Sequence, residues 1–278
     1  MPYVNVGTEK KSDVLLSYAD YGEGKPIVLI HGWPLSHRMW EQQIGFLVEA
    51  GYRVIAYDRR GFGESYKTWD GYDYDTLAAD LDTLLSSLDL NDVTLVGFSM
   101  GGGEVARYIG TYGGSRVAKA VLMSAVTTYM IATEDNPDGF PEEVLQAMAD
   151  AMKKDRISFI DEFNQNFVNW DTTGKNHLTQ ANLDYTFQIA AFANPRATLA
   201  CAEAFSTTDF REDLKNFDVP TLVIHGEDDR IVPFEHSGKR AHEMIKGSEL
   251  AIIEGGPHGI TLTHAEKVNQ KLLEFIQK

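Results

Sequence analysis

Short apolar runs rich in β-branched residues recur along this chain, separated by stretches whose apolar positions fall at helical spacing. Residues 15–18, 26–30, 53–57, 93–96, 117–123, 221–224 and 250–253 read as strands, because each is a brief apolar run bounded by turn residues. Between them, residues 39–50, 74–88 and 262–276 read as helices. In the second of these Leu77, Leu81, Leu84, Leu85 and Leu88 make one apolar stripe. Strands alternating with helices call for a mostly parallel, twisted sheet of about eight strands covered on both faces, an α/β architecture. Residues 127–213 break the rhythm. They are helical and loop-rich, carry many aromatics and hold no convincing strand, although they enter between two core strands. The chain is therefore expected to divide into a core, residues 1–126 and 214–278, and a helical lid, residues 127–213, over the C-terminal edge of the sheet. It shows no internal repeat and no low-complexity tract.

The strand at 93–96 runs into Gly97-Phe-Ser99-Met-Gly101, a G-x-S-x-G sequence, and then into the helical pattern Glu104, Val105, Ala106, Tyr108, Ile109. In such a strand–turn–helix unit the glycines are required because side chains there would clash, and the turn lifts the serine hydroxyl clear of the sheet. Ser99 is the expected nucleophile. The start of the following helix offers free N–H groups and partial positive charge to an oxygen that becomes anionic.

A serine hydroxyl needs a base, and the base needs an acid to hold its tautomer. Both are expected later in the chain, in the order acid, then histidine. His258 follows the strand at 250–253 and has glycine neighbours that leave its ring free, so it is the expected base. His31 and His225, at other strand ends, are expected to brace turns. Glu227, Asp228 and Asp229 stand together after the strand at 221–224. Asp229 is the favoured acid because Ile231 and Val232 anchor its loop and turn the carboxylate inward, with Asp228 the rival. The developing oxyanion needs two backbone donors. Met100, directly after Ser99, is one, and Trp33, in the loop after the strand at 26–30, is the other. Pro34 has no N–H and cannot serve. Phe98 and Phe163 are candidate walls of an apolar pocket.

Composition narrows the partners. A chain of 278 residues with 43% hydrophobic and 24% charged residues can bury one large core. The net charge of −16 argues against nucleic acid or an anionic membrane, both of which attract basic surfaces. A single cysteine excludes an internal disulfide. With no apolar leader at the N-terminus, it suits a cytoplasmic location. No apolar run approaches the length of a membrane span. No metal-ligand spacing and no phosphate-binding G-x-x-x-x-G-K-[ST] is present, so neither metal nor cofactor is expected.

At His31-Gly-Trp-Pro-Leu-Ser36, Tyr57-Asp-Arg-Arg-Gly-Phe-Gly-Glu-Ser65 and Gly97-Phe-Ser-Met-Gly-Gly-Gly-Glu104 the sequence resembles the α/β-hydrolase superfamily. More narrowly it is similar to the cofactor-free bacterial haloperoxidases and their aryl esterase relatives, over essentially the whole chain. The resemblance implies the triad Ser99, Asp229, His258, backbone donors at Trp33 and Met100, and hydrolysis of small esters through an acyl-serine. It also implies perhydrolysis, in which peroxide replaces water and the released peracid oxidises halide without haem or metal. A homo-oligomer is left open. A carboxylate nucleophile, as in haloalkane dehalogenases and epoxide hydrolases, is disfavoured by Ser99. A lactonase, a cyclic-amide hydrolase, a hydrolase of carbon–carbon bonds and a slow-turnover ligand sensor on the same scaffold stay open.

Overall fold

In the computed structural model, which describes residues 1–137 and 139–278, eight strands form one sheet. They are β1 (Tyr3–Glu9), β2 (Ser12–Tyr21), β3 (Pro26–Ile30), β4 (Arg53–Tyr57), β5 (Val93–Phe98), β6 (Val117–Met123), β7 (Thr221–Gly226) and β8 (Glu249–Ile253). Their spatial order is β1-β2-β4-β3-β5-β6-β7-β8. β2 runs antiparallel to both β1 and β4, and every other pairing is parallel.

Alternation along each parallel strand feeds two cores. In β3, Ile27 and Leu29 point to one face and Val28 and Ile30 to the other, all fully buried. One face is covered by α2 (Tyr74–Ser87) and α3 (Met100–Tyr112). The other is covered by α1 (Glu41–Glu49) and the closing helix Ala265–Ile276. Leu77, Leu81, Leu84 and Leu85 of the α2 stripe are buried as their spacing predicts, with Leu88 half-buried just past its end, and Asp73 starts that helix by accepting a hydrogen bond from the Thr76 N–H at 2.9 Å.

The apolar pattern marks the core strands but not β1. Its YVNVGTE pattern leaves most positions exposed, so it has little apolar signature of its own. The strand exists because β2 is available as an antiparallel partner. The closing helix is also divided: a short turn, Ile260–Thr263, precedes Ala265–Ile276.

Between β6 and β7 the chain leaves the sheet. This insertion holds α4 (Glu142–Lys154) and α5 (Arg156–Phe167), then further helices including Gln180–Ala191 and Pro195–Thr207. Its extended pairing, among the described residues, is limited to the isolated bridges Ile131–Phe140 and Thr133–Asn136. Strand order fixes where a site can lie. β4 and β5 flank β3 on opposite sides, so the connections after β3 and β5 diverge and leave a crevice beyond their C-terminal ends. Ile30 pairs with Gly97, which brings the ends of those two strands level.

Candidate active site

Ser99 stands in the turn between β5 and α3 with φ 52° and ψ −120°. That is a costly backbone for a residue with a side chain, of the order of 1–3 kcal/mol. The surroundings over-determine it. The Ser99 N–H donates to the Met123 carbonyl at 2.9 Å, and the Ser99 carbonyl accepts from Gly102 at 2.9 Å and Val126 at 3.0 Å. The flanking glycines are obligatory on contact grounds: a Cβ on Gly97 would lie 2.3 Å from the Gly101 carbonyl oxygen, and one on Gly101 2.4 Å from that of Ile30.

The Ser99 hydroxyl is 2.9 Å from Nε2 of His258, and Nδ1 of the same ring is 2.7 Å from Oδ2 of Asp229. The carboxylate can only accept, so Nδ1 carries the proton and Nε2 presents its lone pair to the serine. The ring is clamped by Phe98, 5.0 Å away between centroids, and by Phe167 at 5.4 Å. Asp229 is held from both oxygens. Its Oδ1 accepts from the N–H groups of Ile231 at 2.9 Å and Val232 at 2.8 Å. Burial alone would raise the pKa of this carboxyl. The charge and hydrogen bond of His258 and the hydrogen bond from His225 outweigh that and hold it well below the usual carboxylate range. Glu227 and Asp228 are exposed on the same loop, which separates them from the rival role.

His225 braces its turn, as expected, and does more. Its Nε2–H donates to the Val232 carbonyl at 2.7 Å while lying 3.3 Å from Asp229 Oδ2. His31 is also buried, with Nδ1 against the Gly32 carbonyl at 2.8 Å and Nε2 accepting from the Arg59 N–H at 3.0 Å.

The loop after β3 presses on the nucleophile: a Cβ on Gly32 would come within 3.1 Å of the Ser99 Cβ. The backbone N–H groups of Trp33 and Met100, one on that loop and one opening α3, make no hydrogen bond among the described residues. Both stay available, one on the loop that packs against Ser99 and one directly after it, as an oxyanion site requires. The Trp33 side chain is fixed by its indole N–H, which donates to the Thr198 carbonyl at 2.9 Å, and by edge-on packing against Phe163 and Phe205.

Against Ser99 lies a cavity of about 160 Å³ whose walls come from the core loops and from the insertion. Trp33, Val126, Met130, Phe163 and Phe205 are among them, with the exposed Arg230 the one charged residue among the described ones; it is paired to Asp171 at 2.7 Å. Phe163 is a wall of this cavity. Phe98 is not, and here the structure corrects the expectation. Residues 96 and 98 of β5 point to the face holding Trp40 and Phe167, opposite Leu95, so Phe98 ends under the His258 ring rather than beside the substrate space. Aliphatic walls, among them Val126, Met130, Val144, Leu145 and Met148, are not marked as such by the sequence. The helical spacing of Val144 and Met148 is the signal available for those two.

Among the described residues no group of three or more His, Cys, Asp or Glu side chains is placed to hold a metal ion, and no helix is long and apolar enough to cross a membrane.

The sequence profile of the alpha/beta hydrolase fold matches residues 25–265, which span β3 to β8, the Ser99 turn, Asp229 and His258. The chain belongs to the alpha/beta hydrolase fold family. Within that family it is 46% identical to the non-heme chloroperoxidase CPO-A1 of Kitasatospora aureofaciens, over 96% of this chain and 98% of the relative. It is 41% identical to a bifunctional esterase/perhydrolase of Acinetobacter calcoaceticus, again over 96% and 98% of the two chains. Among solved structures, the bromoperoxidase of Bacillus anthracis superposes with a TM-score of 0.95 at 49% identity, covering 100% of this hydrolase-fold chain and 99% of the other.

Proposed function

We propose that the protein is a serine hydrolase of small carboxylic esters, with perhydrolysis as a second outcome of the same intermediate. The single observation that carries this reading is the continuous hydrogen-bonded series from the Ser99 hydroxyl through His258 to Asp229, opening onto an apolar cavity. In the reaction His258 takes the Ser99 proton as the oxygen attacks the ester carbonyl. The Trp33 and Met100 N–H groups take the resulting oxyanion. His258 returns the proton to the departing alcohol, and Asp229 steadies the imidazolium between the two transfers. The second half repeats this with water as attacking group, releasing acid and free Ser99.

Hydrogen peroxide can replace water at that point. The product is then a peracid, which oxidises halide in solution and is itself reduced to the acid. Relatives named as chloroperoxidase and as esterase/perhydrolase support this extension. Cavity size supports small groups next to Ser99, since about 150 Å³ holds one benzene ring. Over this crevice the insertion acts as a lid, supplying Met130, Phe163 and Phe205 to the walls.

The test is turnover of phenyl acetate, with and without peroxide and bromide. Rapid multiple turnover is expected in both assays. Ser99→Ala is expected to lose both together, by about 10⁴-fold or more. Halide oxidation that survives in Ser99→Ala would separate the two activities and overturn the shared intermediate.

A further inference from the structure

α4 carries an apolar stripe that its own neighbours do not cover. Val144, Ala147, Met148 and Ala151 fall at i, i+3, i+4 and i+7, the spacing of one helix face. Such a face is ordinarily turned into a core. Here Met152 is the one buried residue of α4, and Val144 is 44% exposed. Opposite, α5 presents Phe159 and Phe163, one turn apart. Between the two helices lies a groove of about 550 Å³. It adjoins the cavity at Ser99, with Val144, Met148, Phe163 and Ile231 as walls of both. Among the described residues the groove's charged lining is Glu143 and Glu162, with Asn166 also polar, and none is basic.

We propose that this groove is a second binding subsite, which takes a long apolar arm of the ester, neutral or cationic, after that arm has passed through the inner cavity. The proposal rests on the ester-hydrolase reading and adds substrate class to it. A face of valine, alanine, methionine and phenylalanine favours apolar matter, since a polar group brought against it loses water without a partner. Four walls shared with the Ser99 cavity select a substrate arm over an unrelated ligand. Two carboxylates at the lining select against an arm ending in an anion. The inner cavity holds about one ring, so an arm long enough to reach the groove must exceed that size.

Either side of the ester can supply such an arm, and two series of substrates distinguish them. p-Nitrophenyl acetate, butanoate and octanoate lengthen the acyl side; methyl, butyl and octyl acetate lengthen the alcohol side. In the unaltered protein kcat/KM is expected to climb along one series by about fourfold for each methylene that enters the groove, corresponding to about 0.8 kcal/mol. The series that climbs identifies the arm. Ala147→Trp and Ala151→Trp fill the groove from exposed helix positions. They are expected to lower the long-to-short ratio of kcat/KM in that series by about tenfold, with the short ester as internal reference. A long ester ending in a carboxylate is expected to be the poorer substrate, and Glu143→Gln with Glu162→Gln to narrow that gap. Flat series in the unaltered protein, or a long-to-short ratio unmoved by both tryptophans, would overturn the subsite. Absence of turnover for every acetate ester is a different result, and overturns the hydrolase reading itself.

Discussion

At Ser99 an unfavourable backbone conformation is traded for reach. The φ of 52° lifts the hydroxyl out of the β5–α3 turn, and three backbone hydrogen bonds keep it there. Asp229 is the other residue whose placement is over-determined, with two backbone donors on one oxygen and two histidines at the other. Asp229→Asn keeps the shape but presents an amide to Nδ1, so His258 no longer holds the required tautomer. kcat for phenyl acetate is expected to fall by about 10³–10⁴-fold. Asp228→Asn, on the exposed side of the same loop, is expected to change it by no more than about twofold. Steady-state kinetics on the pair checks the assignment, and equal losses would contradict it. Ser99, His258 and Asp229 were legible in the sequence because each sits at a glycine-punctuated or turn-forming strand end. Phe98 was not. Adjacency to Ser99 suggested a pocket wall, but alternation along β5 sends its ring to the other face of the sheet.

Between elements, a buried charge network yokes the two sides of the candidate oxyanion site. Arg59, after β4, donates through Nε to Glu104 on α3 at 2.8 Å and through Nη2 to the His31 carbonyl at 2.9 Å; the Tyr57 hydroxyl also donates to Glu104. Thus the loop carrying Trp33 and the helix opened by Met100 share one guanidinium. Arg59 and Glu104 are both essentially inaccessible to water. Removing one member of such a pair strands the other, which costs about 3–5 kcal/mol. Arg59→Met is expected to destabilise the fold by that amount in denaturant unfolding. Adding Glu104→Gln, which removes the stranded charge but keeps a partner for Tyr57, is expected to recover more than half. kcat should stay depressed in both, because the His31 carbonyl has lost its anchor. Recovery of kcat along with stability would contradict the positioning role. The motif around Asp58-Arg59-Arg60 was visible in the sequence, but its partner was not. Glu104 lies 45 positions away, and no pattern announces that a glutamate on an apolar helix face is paired. β1 was hidden for a related reason, its pairing being supplied by β2 rather than by its own pattern.

For the whole molecule the acid limb of stability follows from His31. Burial first, and the charge of Arg59 second, lower its pKa from 6.5 to about 3, so the folded protein keeps it neutral. The unfolded chain takes up that proton near pH 6.5. Stability is therefore intact above that pH and falls as pH drops toward 3, because protons bind the unfolded chain preferentially. Between pH 7.5 and pH 5 the loss from this residue is expected to be about 2 kcal/mol. His31→Gln should flatten that part of the unfolding-versus-pH curve, whatever its effect on absolute stability. An unchanged slope would contradict the assignment. Asp229 adds to the loss at lower pH, since its depressed pKa contributes stability that is present above the unfolded value and disappears as pH falls below it. On this scale the insertion matters most: it lines the cavity at Ser99 with Met130, Phe163 and Phe205, and most of its walls could not be read from spacing alone. The central claim is that residues 99, 229 and 258 act as one unit through an acyl-serine. Intact and peptide mass measured within the first turnovers of p-nitrophenyl acetate tests it most directly. One acetyl group is expected on the peptide carrying Ser99, persisting longer when peroxide and water attack are slowed by Asp229→Asn. An active protein that carries no acetyl group there, or carries it on another residue, would contradict the account.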